Sequence, residues 1–161
     1  MSMIEPLLAL QEIDEKAQSL KRAVSTLPKH RAAREDDLSD ALRRQLEAEA
    51  AEGDSAANAR EMLATEIAGI RAELAEIDER LAAANAELKT LSEKRAECAK
   101  NVPEKHLRFY ERLAISHHPT LVKLVNGVCS GCHLAQPPAT AHIIKHDTEF
   151  VTCGMCGRIL Y

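Results

Sequence analysis

Aromatic residues are scarce in this chain of 161 residues, which has no tryptophan, two tyrosines and two phenylalanines. All four lie after residue 100: Phe109, Tyr110, Phe150 and Tyr161. Because aromatic side chains supply much of the area buried in a globular core, their absence from residues 1–100 argues against such a core there. Alanine, glutamate, leucine, arginine and lysine dominate that region instead, a composition typical of long helices and coiled coils.

Long apolar runs are also missing. No window of the sequence approaches the run of about 18 apolar residues that a membrane-spanning helix needs. Residues 1–8 carry no basic segment, and their apolar run is too short for a secretion signal. We therefore expect a cytoplasmic protein without a membrane partner, in which cysteine thiols stay reduced.

The charge is divided unevenly along the chain. Residues 1–100 hold 15 Lys and Arg against 21 Asp and Glu, whereas residues 101–161 hold 6 against 4 together with six of the seven histidines. An acidic N-terminal region disfavours nucleic acid along its length, while the mildly basic C-terminal region leaves nucleic-acid binding open.

The first amphipathic pattern is a heptad seam that starts near residue 3. Its apolar positions step by three and four: Leu10, Ile13, Ala17, Leu20, Val24 and Leu27. Pro28 interrupts the pattern, Arg31 and Arg34 occupy the next seam positions, and apolar spacing resumes at Leu38, Leu42 and Leu46. We expect a continuous helix over 3–52 that is kinked near Pro28; a break into two helices is the alternative.

A second and longer heptad pattern follows a turn predicted at Gly53. Its positions alternate by four and three over five heptads: Leu63, Ile67, Ile70, Leu74, Ile77, Leu81, Ala84, Leu88, Leu91, Arg95 and Cys98. Arms of nearly equal length, about 3–52 and 55–100, predict an antiparallel coiled-coil hairpin. A parallel homodimer without a turn is the alternative. Cys98 lies on the seam and is interpreted as a small buried side chain.

The C-terminal region carries two Cys-x-x-Cys pairs, at 129–132 and 153–156. Two such pairs at this separation form a four-thiolate site for which Zn²⁺ is the best suited ion. Gly131 and Gly157 suit the tight turns that aim paired sulfurs at one point. The predicted ligands of one structural zinc ion are therefore Cys129, Cys132, Cys153 and Cys156.

Other interpretations of the cysteines are weaker. Cys129–His133 matches the C-x-x-C-H of haem attachment, but that chemistry follows export and leaves the second pair unexplained. Neither pair has the strand–helix context of a thioredoxin-like site. A zinc site that oxidation empties stays open as an alternative, and His133 is interpreted as a surface group or a neighbour of the ligands.

Short elements surround the cysteine pairs. Pro103 is placed to begin a helix that ends at His117–Pro119, and a second helical turn is predicted from Pro137 to Ile144. Strands are predicted at 120–125, 149–152 and 158–161, with a tight turn at Asn126-Gly127. The predicted fold is mainly α: a coiled-coil hairpin over 1–100, followed over 101–161 by a short helix and a small zinc ribbon with four cysteine ligands.

Basic residues near the ribbon suggest a surface for nucleic acid or a protein partner. Such a face would combine phosphate contacts with stacking rings. The alternative is that the rings, Phe109 among them, pack the ribbon and that the charges are simply solvated. The candidate binding residues are Lys105, Arg108, Tyr110, Arg112, Lys123, Lys145 and Arg158.

Both ends of the chain resemble a known family, the bacterial C4-type zinc-ribbon proteins built on a coiled-coil hairpin. The likeness rests on Leu8-x-Leu10-Gln11-x-x-Asp14, Leu27-Pro28, Leu107-x-x-Tyr110-Glu111 and the segment from Gly127 to Tyr161 with its four cysteines. The resemblance implies zinc on those cysteines and a non-enzymatic adaptor or chaperone-like role. It also implies a sigma factor, a secretion or flagellar component, or nucleic acid as partner. The arms here look shorter than is usual in the family.

The expected function is that of a non-enzymatic adaptor whose coiled coil is a spacer and whose ribbon recognises a protein. The alternative is a regulator that binds RNA or DNA through the basic face of the ribbon. No nucleophile–base set, phosphate-binding loop or open metal site is evident in the sequence, so neither an enzyme nor a small-molecule substrate is expected.

Overall fold

The computed structural model describes residues 4–146 and 150–161. Two long helices are followed by small elements, as the predicted fold class requires. In chain order the elements are α1 (Glu5–Ala50), α2 (Asp54–Lys100), α3 (Glu104–Ala114), β1 (Leu121–Val122), β2 (Leu124–Val125), β3 (Val128–Cys129), α4 (Pro138–His146), β4 (Val151–Thr152) and β5 (Ile159–Leu160). Met3, in the predicted first helix, and Glu149, in a predicted strand, lie outside the described residues. In the described part of the chain, no helix combines the length and the apolar character needed to cross a membrane.

The two long helices are joined at Gly53. α1 runs through Pro28 as one helix of 46 residues. Gly53 has a φ of +108°, a left-handed conformation that costs glycine little. Arg60 of α2 then donates to the carbonyl oxygens of Ala48 and Ala51, at 2.8 and 2.5 Å, which satisfies acceptors at the C-terminal end of α1.

The chain divides into two compact units. Ser19–Lys89 forms one, here called the hairpin unit; the chain up to Gln18 and the chain from Thr90 onward together form the other, called the ribbon unit. The ribbon unit therefore contains the beginning of α1 and the end of α2, whereas the predicted domain boundary lies at residue 100.

The hairpin unit is held by the predicted seam. Ala41, Ile67 and Ile70 are buried together, and Leu38 and Leu74 pack against them. Ion pairs cross from one helix to the other in antiparallel register: Arg31 Nε lies 2.7 Å from Asp78, and Arg44 lies 2.5 Å from Glu66. These contacts join two helices of one chain, which is the arrangement that the hairpin prediction requires.

The predicted seam is wrong at its last two positions in α1. Leu42 and Leu46 are 36% and 67% exposed, whereas Ala41 is fully buried. The three-and-four step simply continues from Leu38 to Ala41, so the heptad phase is kept. In the sequence pattern, the larger leucines make the wrong positions look like the seam. In the structure, the seam position is taken by Ala41, whose small side chain lets the two helices approach closely.

The described residues of the ribbon unit form two small sheets. In the first, β5 pairs in parallel with β1 and antiparallel with β4. In the second, β2 and β3 form a hairpin whose turn residues, Asn126 and Gly127, both have positive φ, as a type I′ turn requires. The single strand predicted at 120–125 is thus two strands that separate at Lys123 and join different sheets.

The first sheet has two different faces, because successive residues of a strand point to opposite sides. Leu121 and Ile159 belong to a core with Leu7, Leu10 and Tyr110, which come from α1 and α3. The next residue of each strand, Val122 and Leu160, belongs to a second core that contains Cys129 and Cys153. The same short strands therefore support the cysteine site on one side and pack against helices on the other.

Candidate metal centre

Two loops of the same hydrogen-bonding pattern present the cysteines. In the first, the N–H of His133 donates to the Cys129 carbonyl at 2.8 Å, and the Cys129 N–H donates to the Leu134 carbonyl at 3.0 Å. In the second, Gly157 donates to Cys153 and Cys153 donates to the Arg158 carbonyl, both at 2.8 Å. Each loop is therefore closed by backbone hydrogen bonds that do not involve the cysteine sulfurs.

Each loop also needs one residue in the left-handed conformation, directly after its second cysteine. Gly157 fills that position in the second loop with a φ of +73°, as predicted, while His133 fills it in the first with a φ of +60°. Gly131 is needed for space instead. A Cβ added there would lie 2.8 Å from Cδ of Arg158 and 3.2 Å from Cγ1 of Val122. His133 itself is exposed.

The four cysteine sulfurs lie close together in space. Cys129 Sγ lies 3.9 Å from Cys156 Sγ, Cys132 Sγ lies 3.6 Å from Cys153 Sγ, and all four sulfurs lie within 4.8 Å of one another. A tetrahedral zinc ion with Zn–S bonds of about 2.3 Å separates its sulfurs by about 3.8 Å. The donor set and its spacing therefore fit one structural zinc ion.

The surroundings of the thiols favour thiolate at Cys156. Burial raises the pKa of Cys156, but hydrogen bonds from the backbone and the guanidinium of Arg158 outweigh burial and lower this pKa to about 6. For Cys132, a hydrogen bond from the Leu134 backbone lowers the pKa, whereas burial and the neighbouring thiols raise it, to about 12. A divalent cation among the four sulfurs would ionise them all, because thiolates are the forms that bind it.

The chemistry of such a site is structural. Four thiolates complete the tetrahedron, so no position is left for the water or substrate that a catalytic zinc holds. The backbone N–H of Gly131 also donates to Cys129 Sγ at 3.4 Å, which spreads the negative charge of a bound thiolate. Cys98 lies apart from this group, half-buried against the helical core of the ribbon unit.

Gln11 of α1 holds the backbone at the start of β1. Its side-chain oxygen accepts hydrogen bonds from the N–H groups of Thr120 and Leu121, at 2.9 and 2.5 Å, and its nitrogen donates to the Leu121 carbonyl at 3.2 Å. One amide side chain thus pairs with the strand as a neighbouring strand would. Sequence reasoning assigns this residue no role beyond its place in a family motif.

A second polar cluster surrounds Asp14. Its carboxylate accepts from Tyr110 at 3.0 Å and from Arg95 Nε at 2.7 Å, and Arg95 also contacts Glu111 at 3.0 Å. Burial and the nearby Asp14 carboxylate raise the pKa of the Tyr110 hydroxyl. The cluster explains why the seam accepts an arginine at position 95.

The prediction of Tyr110 as a binding residue is wrong. The side chain is 1% exposed and its hydroxyl donates to Asp14, so its ring cannot stack on a ligand. Other rings of the ribbon unit pack against one another. The ring centroids of Phe109 and Phe150 lie 6.1 Å apart in a stacked arrangement, and those of His106 and Phe150 lie 4.3 Å apart. These contacts favour the interpretation that the aromatic residues pack the ribbon unit.

The structure brings part of the basic set together. Lys105, Arg108 and Arg112 lie on α3 and line one shallow groove with Phe109, over which the Arg112 guanidinium lies at 5.2 Å. Arg158 is held instead by the Pro119 carbonyl at 3.0 Å. Lys123 and Lys145 are exposed on other segments of the ribbon unit and are not part of this groove.

Comparison with known proteins agrees with this description. Residues 128–160 match the family model of the C4-type zinc ribbon domain. The fold is similar to that of CT398 from Chlamydia trachomatis, with 20% identity and a TM-score of 0.53 over 99% of this chain and 82% of that one. It is also similar to HP0958 from Helicobacter pylori, with 15% identity and a TM-score of 0.50 over 99% of this chain and 87% of that one. No match was found among curated proteins.

These findings confirm the resemblance at the level of domain and fold. The C-terminal segment is similar to C4-type zinc ribbons, and a helical hairpin precedes it, as in the family that the sequence motifs indicate. Identities of 15% and 20% support the fold alone.

Proposed function

We propose that this chain is a non-enzymatic adaptor of the cytoplasm, in which the zinc ribbon recognises a protein and the coiled coil is a spacer. The observation that carries the proposal is the two-sided sheet of the ribbon unit. One face, through Leu121 and Ile159, packs against helix residues, and the other, through Val122 and Leu160, supports the cysteines. A small domain that is packed on both faces of its sheet presents a rigid surface. Because the metal site has no open position, a partner would bind to that surface rather than to the metal.

The loops that carry the cysteines expose apolar side chains. Leu134 is 45% exposed in the first loop and Met155 is 70% exposed in the second. Exposed apolar groups on a rigid scaffold are typical of protein-recognition surfaces, and methionine adapts readily to a partner. By family resemblance, a sigma factor or a secretion or flagellar component is the partner class to test first.

The adaptor role can be tested by affinity capture from native lysate with and without nuclease. We compare the wild type with Met155→Ser and with a matched control, Leu46→Ser, whose side chain is 67% exposed in the hairpin unit. The expected result is a nuclease-resistant protein partner that Met155→Ser loses and Leu46→Ser keeps, with zinc content unchanged in both. Loss in Leu46→Ser alone would place recognition on the hairpin unit and contradict the proposal.

A second candidate function is binding of RNA or DNA, and the groove on α3 favours it. Three cations, Lys105, Arg108 and Arg112, lie along one helix of eleven residues. Phosphate contacts need cations, and the affinity that such contacts supply falls steeply with salt. Arg108 is paired with Glu104 across one helical turn, however, and the pair is highly exposed, so the groove is only mildly basic.

The nucleic-acid candidate is tested by a salt titration of RNA and DNA binding. Arg108→Glu and Lys105→Glu should weaken binding and reduce its salt dependence, whereas Lys89→Glu, an exposed site in the hairpin unit, should do neither. Equal losses in all three variants would indicate nonspecific charge attraction and would reject the groove as the site.

A further inference from the structure

Two histidines lie one turn apart at the end of α4. The rings of His142 and His146 have centroids 4.5 Å apart, with their planes inclined by 48°. Both side chains are exposed. Thr140, which is buried, and Ile144, which packs in the cysteine-side core, lie on the opposite face of the helix. The helix is therefore anchored by one face while the other presents the two imidazoles.

The spacing of the rings suits a shared metal ion. Histidines at i and i+4 of a helix lie on one face, an arrangement that can place two ring nitrogens on one cation. With metal–nitrogen bonds of about 2.1 Å, imidazoles at adjacent corners of an octahedron hold their centroids about 4.5 Å apart. The centroid separation observed here, 4.5 Å, equals that distance.

We propose that His142 and His146 form a second metal site, for a divalent cation that favours imidazole, such as Ni²⁺, Cu²⁺ or Zn²⁺. Water would complete the coordination, since the pair supplies two ligands. This site differs in kind from the cysteine site: its ligands are exposed and few, so its ion exchanges with solvent, whereas four thiolates enclose theirs.

A cation bound here would also act on the helix. It would connect residues 142 and 146 of a helix of only nine residues, and helices this short have little stability of their own. Ile144 lies between the two ligands in sequence and packs beside the cysteines. Occupation of the histidine pair would therefore stabilise a segment that supports the zinc ribbon.

The test is a titration of the zinc-loaded full chain with Ni²⁺, followed by calorimetry and by NMR of the histidine rings. We expect one equivalent to bind and to shift the signals of His142 and His146. His142→Ala and His146→Ala should each lose about tenfold or more in affinity. His30→Ala, which removes an exposed histidine of α1, should bind as the wild type does.

Zinc analysis and thermal unfolding of each variant show whether the fold and the cysteine site stay intact. Absence of saturable Ni²⁺ binding to the wild type would overturn the proposal. Ni²⁺ binding that persists in the double variant His142→Ala/His146→Ala would do so as well. Release of zinc in proportion to added Ni²⁺ would show that Ni²⁺ binds at the cysteines instead, again against the proposal.

Discussion

The hairpin unit and the ribbon unit are stabilised in different ways. The hairpin unit is held by one kind of contact that repeats along the heptad seam. Ala41, Ile67 and Ile70 are examples of seam positions, and each seam position resembles the next. The ribbon unit depends on single contacts between distant parts of the chain, such as Gln11 with Leu121 and Asp14 with Tyr110. Loss of one repeated contact should therefore lower the free energy of unfolding only modestly, whereas a contact made once has no neighbour that can replace it.

The largest expected effect is on the cysteine site. Cys153→Ser should abolish stoichiometric zinc binding and unfold the segment around residues 128–160, because structural zinc contributes about 10–16 kcal/mol to folding in comparable small domains. Cys98→Ser is the matched control, since Cys98 is not among the four clustered sulfurs. Metal analysis should find one zinc per chain in the wild type and in the control. A full equivalent of zinc in Cys153→Ser would contradict the ligand assignment.

The next effect in size concerns Gln11. Gln11→Ala leaves the N–H groups of Thr120 and Leu121 without their acceptor, and we expect the free energy of unfolding of the ribbon unit to fall by about 2–5 kcal/mol. Gln45→Ala is the control, because its side chain makes one exposed hydrogen bond to Glu49 within the same helix. Denaturant unfolding measures both changes. Equal changes in the two variants would show that the contact with β1 adds nothing.

A smaller effect, with a pH dependence, is expected at Tyr110. Tyr110→Phe removes the hydrogen bond to Asp14 and should cost about 1.5–3 kcal/mol, as for other hydrogen bonds to a charged group. The folded protein raises the pKa of Tyr110, so its stabilising contribution is complete below the unfolded pKa of about 10 and is lost as pH rises above it. The wild type should therefore lose stability above about pH 10 more steeply than Tyr110→Phe does.

The control for that measurement is Tyr161→Phe, which changes the other tyrosine of the same core cluster. If Tyr161→Phe flattens the alkaline loss of stability as much as Tyr110→Phe does, the effect does not come from the contact with Asp14.

The smallest effect tests the register of the hairpin unit. Ala41→Leu should destabilise the protein by about 1–3 kcal/mol, because a larger side chain overfills a fully buried position. Ala64→Leu makes the same change at an exposed position of α2 and should alter stability by less than about 0.5 kcal/mol. A change in stability as small as that of Ala64→Leu would instead support a seam through Leu42.

What can be predicted from the sequence follows the same division. The heptads predict the seam of α2 from Leu63 to Cys98 because each position is repeated, and the cysteine spacing predicts the metal site because two short motifs specify it. The seam of α1 is predicted less well after Leu38, since an alanine and the leucine beside it compete for one position.

The polar contacts that join distant parts of the ribbon unit could not be predicted, since the partners are far apart in sequence. Gln11 and Leu121 are separated by 110 residues, and Asp14 and Tyr110 by 96. No local pattern marks a glutamine that will pair with a strand or an aspartate that will accept from a tyrosine. The left-handed conformation of His133 could not be predicted either. Gly131, two residues earlier, is the residue that the sequence pattern favours for such a conformation.

Zinc on the four cysteines should hold the ribbon in its folded form, while the hairpin unit should fold independently of the metal. Hydrogen exchange of the wild type, measured by segment before and after chelation of zinc, reports on both units in one experiment. We predict that residues 128–160 lose most of their protection after chelation and that residues 19–89 keep theirs. Retained protection in 128–160 without zinc would show instead that the ribbon folds without its metal.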